Sequence, residues 1–141
     1  MKEVSSLQQM HPQFQPWILQ ADEFLSRCGD IPISEQLKSR RVLRVEFLAL
    51  WGGGGLMMDD NLGGFVIALN KDLSIDFWVD SLGHEIAHTF HYDIDPSLPV
   101  DLMASSDAEN DAVEVYCDNF SIAWKLTLGE ARIREFLSYI S

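Results

Sequence analysis

The sequence predicts an α+β fold, a small antiparallel sheet packed on a pair of helices with further helices toward the N- and C-termini. Three observations carry that prediction. The apolar runs Leu56–Met58 and Phe65–Leu69 flank the turn-rich segment Asp59–Gly64, which is a hairpin signal. Ile75, Trp78, Val79, Leu82, Ile86 and Phe90 recur three or four residues apart and give one helix a continuous buried stripe. Ser106-Asp107-Ala108-Glu109 reads as a capping box that opens a second long helix over 107–128, which Gly129 stops.

Taken in order, residues 1–13 read as a loose leader to a single domain spanning 1–141. Pro16 suits the first turn of a helix running to about Cys28, with Gly29 as its stop, and Trp17, Phe24, Leu25 and Cys28 share its apolar face. Ser34 is placed to cap a short helix over Glu35–Arg40. Val42–Leu50, rich in β-branched and aliphatic side chains, reads as a strand, with a helix continuing from Glu35 as the alternative. The glycines at 52–55 then break regular structure before the hairpin. Ser74 can cap the first long helix, Pro96 and Pro99 mark the loop after it, and Val113, Phe120 and Trp124 give the second its apolar side. A last helix covers Glu130–Ile140.

Bulk properties narrow the function. The chain has 141 residues, 47% of them hydrophobic and 23% charged, as folded globular proteins do. A formal net charge of −12 repels phosphate backbones and anionic lipid, so direct nucleic-acid and membrane binding are not expected, whereas a basic protein partner would be attracted. The start shows no apolar run of the signal-peptide kind, and nothing approaches the roughly 20 apolar residues of a membrane span. Cys28 and Cys117 form no metal-type pair, so a cytoplasmic location with both thiols reduced is the expectation.

The chemistry concentrates in His84-Glu85-Ile86-Ala87-His88. Residues four apart on a helix lie above one another, so His84 and His88 project from one face and can occupy two corners of a tetrahedral zinc site. Glu85, beside the first ligand, is placed to reach a water at the metal and serve as general base. Glu114, 26 residues after His88 and on the next helix, is the best third ligand. Asp118, one turn further on, can accept a hydrogen bond from a ligand histidine's other nitrogen and fix its tautomer. His91 and Tyr92 are further candidates for pocket or transition-state contacts, although an exposed or rim position is the plainer reading of His91 and packing that of Tyr92. Cys117 reads as core rather than ligand. A metzincin would need a glycine at 91 and a histidine at 94, where this chain has His91 and Ile94.

With these residues in place, the sequence resembles the ImmA/IrrE-like metallo-endopeptidases, a branch of the gluzincin peptidases. His84-Glu85-Ile86-Ala87-His88-Thr89-Phe90-His91-Tyr92-Asp93 is close to that family's HEIGHTFFYD, and Glu114-Val115-Tyr116-Cys117-Asp118-Asn119-Phe120-Ser121 is similar to its glutamate helix, ExxCxxFA. The likeness covers roughly 42–124, with specific matching in the two helices. It implies a zincin-like α+β fold, Zn2+ held by His84, His88 and Glu114, Glu85 as catalytic base, and a helix-turn-helix repressor as the protein substrate. Ala87 replaces the family's customary glycine, and Ser121-Ile122-Ala123-Trp124-Lys125 stands where the family continues into an LLMP-like segment. The second departure bears on the substrate-side surface more than on the metal.

The expected activity is therefore zinc-dependent hydrolysis of peptide bonds, with the substrate extended along the strand around Phe65–Leu69 as an added β-strand. The rival readings are a zincin-like module that binds a regulator without cleaving it, a hydrolase acting on something other than protein, and a closed structural metal site. The first leaves Glu85 without a purpose. The second, in its deformylase form, would draw a ligand from an upstream cysteine motif that Cys28 lacks, and the third would require four protein ligands.

Overall fold

Phe65–Leu69 carries no polar residue, and a strand that is apolar on both faces needs cover from both sides. In the computed structural model, which describes residues 15–50, 52–94 and 107–141, this segment is the centre of a three-stranded sheet. The elements follow in the order α1 (Gln15–Arg27), a 3-10 turn (Cys28–Asp30), α2 (Ile33–Ser39), β1 (Val42–Leu48), β2 (Gly55–Asp59), β3 (Phe65–Asn70), α3 (Ile75–Ile94), α4 (Asp107–Leu128) and α5 (Glu130–Ile140). The expected leader, the loop around Pro96 and Pro99, and the Ser106 end of the capping box lie outside the described residues.

The hairpin forms as the sequence predicts. β2 runs antiparallel to β3, with Met57 opposite Ile67 and Asp59 opposite Phe65. Its turn is held by Asp60, whose Oδ1 accepts hydrogen bonds from the backbone N–H groups of Leu62 and Gly64, both at 2.8 Å. The expectation of a wholly antiparallel sheet is corrected at β1, which pairs with β3 in parallel, Val45 opposite Ile67. The strand order is β1–β3–β2, so the hairpin delivers β3 into the gap between the first two strands. That placement buries β3 along its whole length, with Ile67, Ala68 and Leu69 sealed from solvent.

Residues 42–48 take the strand reading rather than the helical one. Arg41, with φ at 60°, turns the backbone left-handed and ends α2 before the strand begins. α2 itself starts earlier than its serine suggests: Pro32 sits at the N-cap position, its carbonyl accepting from the Gln36 N–H at 2.9 Å, and Ser34 lies inside the helix. Tertiary packing decides this, because Ile33 and Gln36 are both buried. At Gly129 the φ of 88° separates α4 from α5 at the expected stop.

α3 is the hub. It packs against α1, α4, α5, β2 and β3, with its most extensive contact to α4. Val79, Leu82, Ile86 and Phe90 are buried, and Ile75 and Trp78 flank them, as the stripe predicts. The α3–α4 approach depends on Gly83: a Cβ there would meet Ser121 Oγ at 2.7 Å, Ser121 Cα at 3.0 Å and the Trp124 ring at 3.0 Å. Behind this contact, buried Gln36 donates to the carbonyls of Cys28 (3.1 Å) and Ile31 (2.7 Å), and accepts from Trp124 Nε1 at 2.8 Å. The amide thus ties α2, the 3-10 turn and α4 together with its polar atoms satisfied. No helix among the described residues is long and apolar enough to cross a membrane.

Candidate metal centre

His84 and His88 stand one turn apart on α3 with ring centroids 4.9 Å apart, and their Nε2 atoms are separated by 3.2 Å. Two imidazole nitrogens sharing one tetrahedral zinc at about 2.0–2.1 Å lie about 3.3 Å from each other, so the pair needs little adjustment to share an ion. α4 supplies the oxygens. Glu114 places Oε2 at 2.8 Å from His84 Nε2 and Oε1 at 3.4 Å from His88 Nε2. Asp118, one turn along, accepts from His84 Nδ1 at 2.8 Å. Each of these residues sits where helical spacing predicts, and the close approach at Gly83 lets the two helices bring them together.

The environment sets their charge states. Burial alone would lower the pKa of His84, but the Glu114 hydrogen bond and the charges of Glu85, Glu114 and Asp118 outweigh it and raise the value to about 9. Both ring nitrogens of His84 thus lie against carboxylates, Nε2 against Glu114 and Nδ1 against Asp118. Hydrogen bonds from His84 and His88 pull the Glu114 carboxyl well below the usual carboxylate range. Glu85 behaves in the opposite sense: it is only 7% exposed, and burial raises its pKa against the pull of the two histidines.

A cleft of about 320 Å³ opens onto the centre, lined by Gly53, Gly54, Gly55, Asp80, Ser81, His84, Glu85, Glu114 and Asp118. Its glycine wall lies directly on α3, since a Cβ on Gly54 would stand 2.1 Å from Ser81 Oγ. The glycines that read as mere breakers of structure therefore bring the start of β2 down beside Glu85. Asp80 is held by Lys125 at 2.9 Å, and its carbonyl accepts from Ser121 Oγ at 2.7 Å, a second tie between α3 and α4.

Three expectations need correction or addition. His91 is neither exposed nor on a rim: it is buried behind His84 and His88, its ring 5.3 Å from that of Trp17 and 6.2 Å from that of His88. One turn along α3 carries it into the core, away from the cleft, because α1 covers that part of the helix. The strand Phe65–Leu69 cannot accept an added peptide, since β1 and β2 occupy both its edges; the Gly55 end of β2 is the strand end that adjoins the cleft. Cys117 is fully buried, as a core residue should be, yet its Sγ and one ring nitrogen each of His84 and His88 all lie within 4.8 Å of one another. His84, His88 and Cys117 thus form a group that could hold a metal ion. Tyr92 belongs to α3 by its backbone, and its side chain lies outside the described residues.

No protein-family model, no curated protein and no solved structure matches this chain.

Proposed function

We propose that this protein is a zinc-dependent endopeptidase of the zincin kind, with zinc held by His84, His88 and Glu114 and with Glu85 as the proton-transfer group. One observation carries the reading: two imidazole nitrogens and a carboxylate converge within hydrogen-bonding distance of one another while Glu85 lies buried beside them in an open cleft. The donor set is that of a three-ligand site with a position left for water or substrate. Its nitrogen separation fits a tetrahedral ion, and Asp118 orients the first histidine through its other nitrogen.

Bound zinc would lower the pKa of water to about 7 and polarise a carbonyl group. The chain's own residues do the rest. Glu85, made more basic by burial, takes the proton of the attacking water and delivers it to the departing amine nitrogen. Asp118 keeps the His84 ring in the tautomer that turns Nε2 toward the ion. The Gly53–Gly55 wall supplies backbone along which an extended peptide could lie, next to the outer edge of β2. Asp80, Glu85, Glu114 and Asp118 make the cleft acidic, which together with a net charge of −12 favours a basic protein substrate such as a helix-turn-helix repressor.

The test is to incubate the zinc-loaded protein with a basic helix-turn-helix repressor and to compare it with Glu85→Gln. Wild type should cut the repressor and the variant should bind one zinc without cutting. Cleavage that survives the substitution would remove Glu85 from the mechanism. Stoichiometric binding of the repressor without cleavage by wild type would favour a zincin-like module that regulates its partner by contact alone.

A further inference from the structure

Glu114 and Cys117 lie three residues apart on α4 and both come near the same two imidazoles. Glu114 is half-exposed and lines the cleft, whereas Cys117 is fully buried and forms no part of the cleft wall. One offers a hard oxygen and the other a soft sulfur, and ligand softness is a main determinant of which metal a site retains. The three ligand atoms of His84, His88 and Cys117 lie within 4.8 Å of one another. A nitrogen and a sulfur sharing a tetrahedral ion stand about 3.5 Å apart, for bonds of about 2.0 and 2.3 Å, so the three side chains must draw together from their spread of up to 4.8 Å to share one ion.

We propose that the centre has two alternative third ligands: Glu114 for zinc on the cleft side, and Cys117 for a soft ion such as Cd2+ on the interior side. The inference rests on the reading of His84 and His88 as metal ligands. A bound dication deprotonates a coordinating thiol outright, and the proton passes to solvent. An ion drawn inward sits among buried side chains rather than facing the cleft. A soft ion is therefore drawn away from the cleft and from Glu114, making the site a point of metal selection as well as of chemistry.

The experiment is an ultraviolet absorption titration of the full chain with Cd2+, beside a zinc-binding measurement on the same preparations. Wild type should develop a thiolate-to-cadmium charge-transfer band that saturates at one equivalent. The band should persist in Cys28→Ser and in Glu114→Gln, and be lost in Cys117→Ser while that variant still binds zinc one to one. Cys117→Ala replaces it if serine is not tolerated at this buried position. One equivalent of Cd2+ bound by wild type without the band, or a band that survives in Cys117→Ser, overturns the inference. Zinc binding without any thiolate band for Cd2+ leaves the metallopeptidase reading standing and removes this one; a chain that binds neither metal removes both.

Discussion

The floor of the cleft and its mouth treat the same side chain in opposite ways. Glu85, buried on α3, has its pKa raised by loss of water, whereas Glu114, half-exposed on α4, has its own lowered by hydrogen bonds from two histidines. Groups of one type driven apart by their surroundings are suited to different tasks. A carboxyl that gains affinity for protons can carry one between water and an amine. A carboxylate held firmly ionised beside two imidazoles can ligate a cation. The lesson is that one glutamate follows the first histidine directly, the other arrives from another helix, and only the fold gives them their separate characters.

That contrast can be broken most severely at Glu85. Under the proposed peptidase reading, Glu85→Gln should lower the rate of substrate cleavage by about 10²–10⁴-fold, the usual worth of a general acid–base group, as read by gel-based cleavage kinetics. A loss of only a few fold would make the burial of Glu85 incidental. The next effect is expected at Asp118, whose bond to His84 Nδ1 would orient that ring as a ligand under the proposed function. Asp118→Asn should weaken zinc by about 10–100-fold in a competition titration with a chelator, in line with other groups that orient metal ligands. Unchanged affinity would show that His84 is oriented by something else.

A smaller effect belongs to the contact that brings mouth and floor together. Gly83→Ala inserts a methyl group against Ser121 and Trp124, and should cost about 1–3 kcal/mol in denaturant unfolding. A neutral result would mean that α3 and α4 separate without penalty. The smallest effect concerns pH in the metal-stripped protein, because Glu114 is partly exposed and its ion pair with His84 is screened. His84 is raised from its ordinary 6.5 to about 9, so its contribution is complete below 6.5 and is lost as pH rises through 9. Glu114 is lowered from its ordinary 4.5, so its contribution is present above that value and is lost as pH falls well below it. The difference in melting temperature between wild type and Glu114→Gln should therefore be largest between about pH 5 and 6.5 and vanish above 9. A difference that grows toward alkaline pH would contradict the pairing.

The parts of this site written in helical spacing were legible before the structure. His84 and His88, and then Glu114 and Asp118, are pairs one turn apart, and local geometry alone puts each pair on one face. The stripe along α3 and the β2–β3 hairpin were legible for the same reason. What escaped depends on residues distant in sequence. The parallel pairing of β1 follows from where the hairpin lands, not from any pattern inside Val42–Leu48. His91 is buried because α1 covers its part of α3, and no property of the residue announces that. A glycine inside a helix at 83 and the run at 52–55 did offer a signal, since such glycines often mark close backbone approach, but their partners Ser121, Trp124 and Ser81 could not be read. The reach of Cys117 toward the histidine pair belongs with these.

Whether Glu114 holds the metal and Glu85 does not is decided by the zinc affinities of Glu114→Gln and Glu85→Gln, measured side by side with wild type. Glu85→Gln should bind zinc one to one with wild-type affinity, and Glu114→Gln should lose more than the roughly 100-fold worth of an orienting group. Full affinity in Glu114→Gln, or loss of zinc in Glu85→Gln, would contradict that assignment.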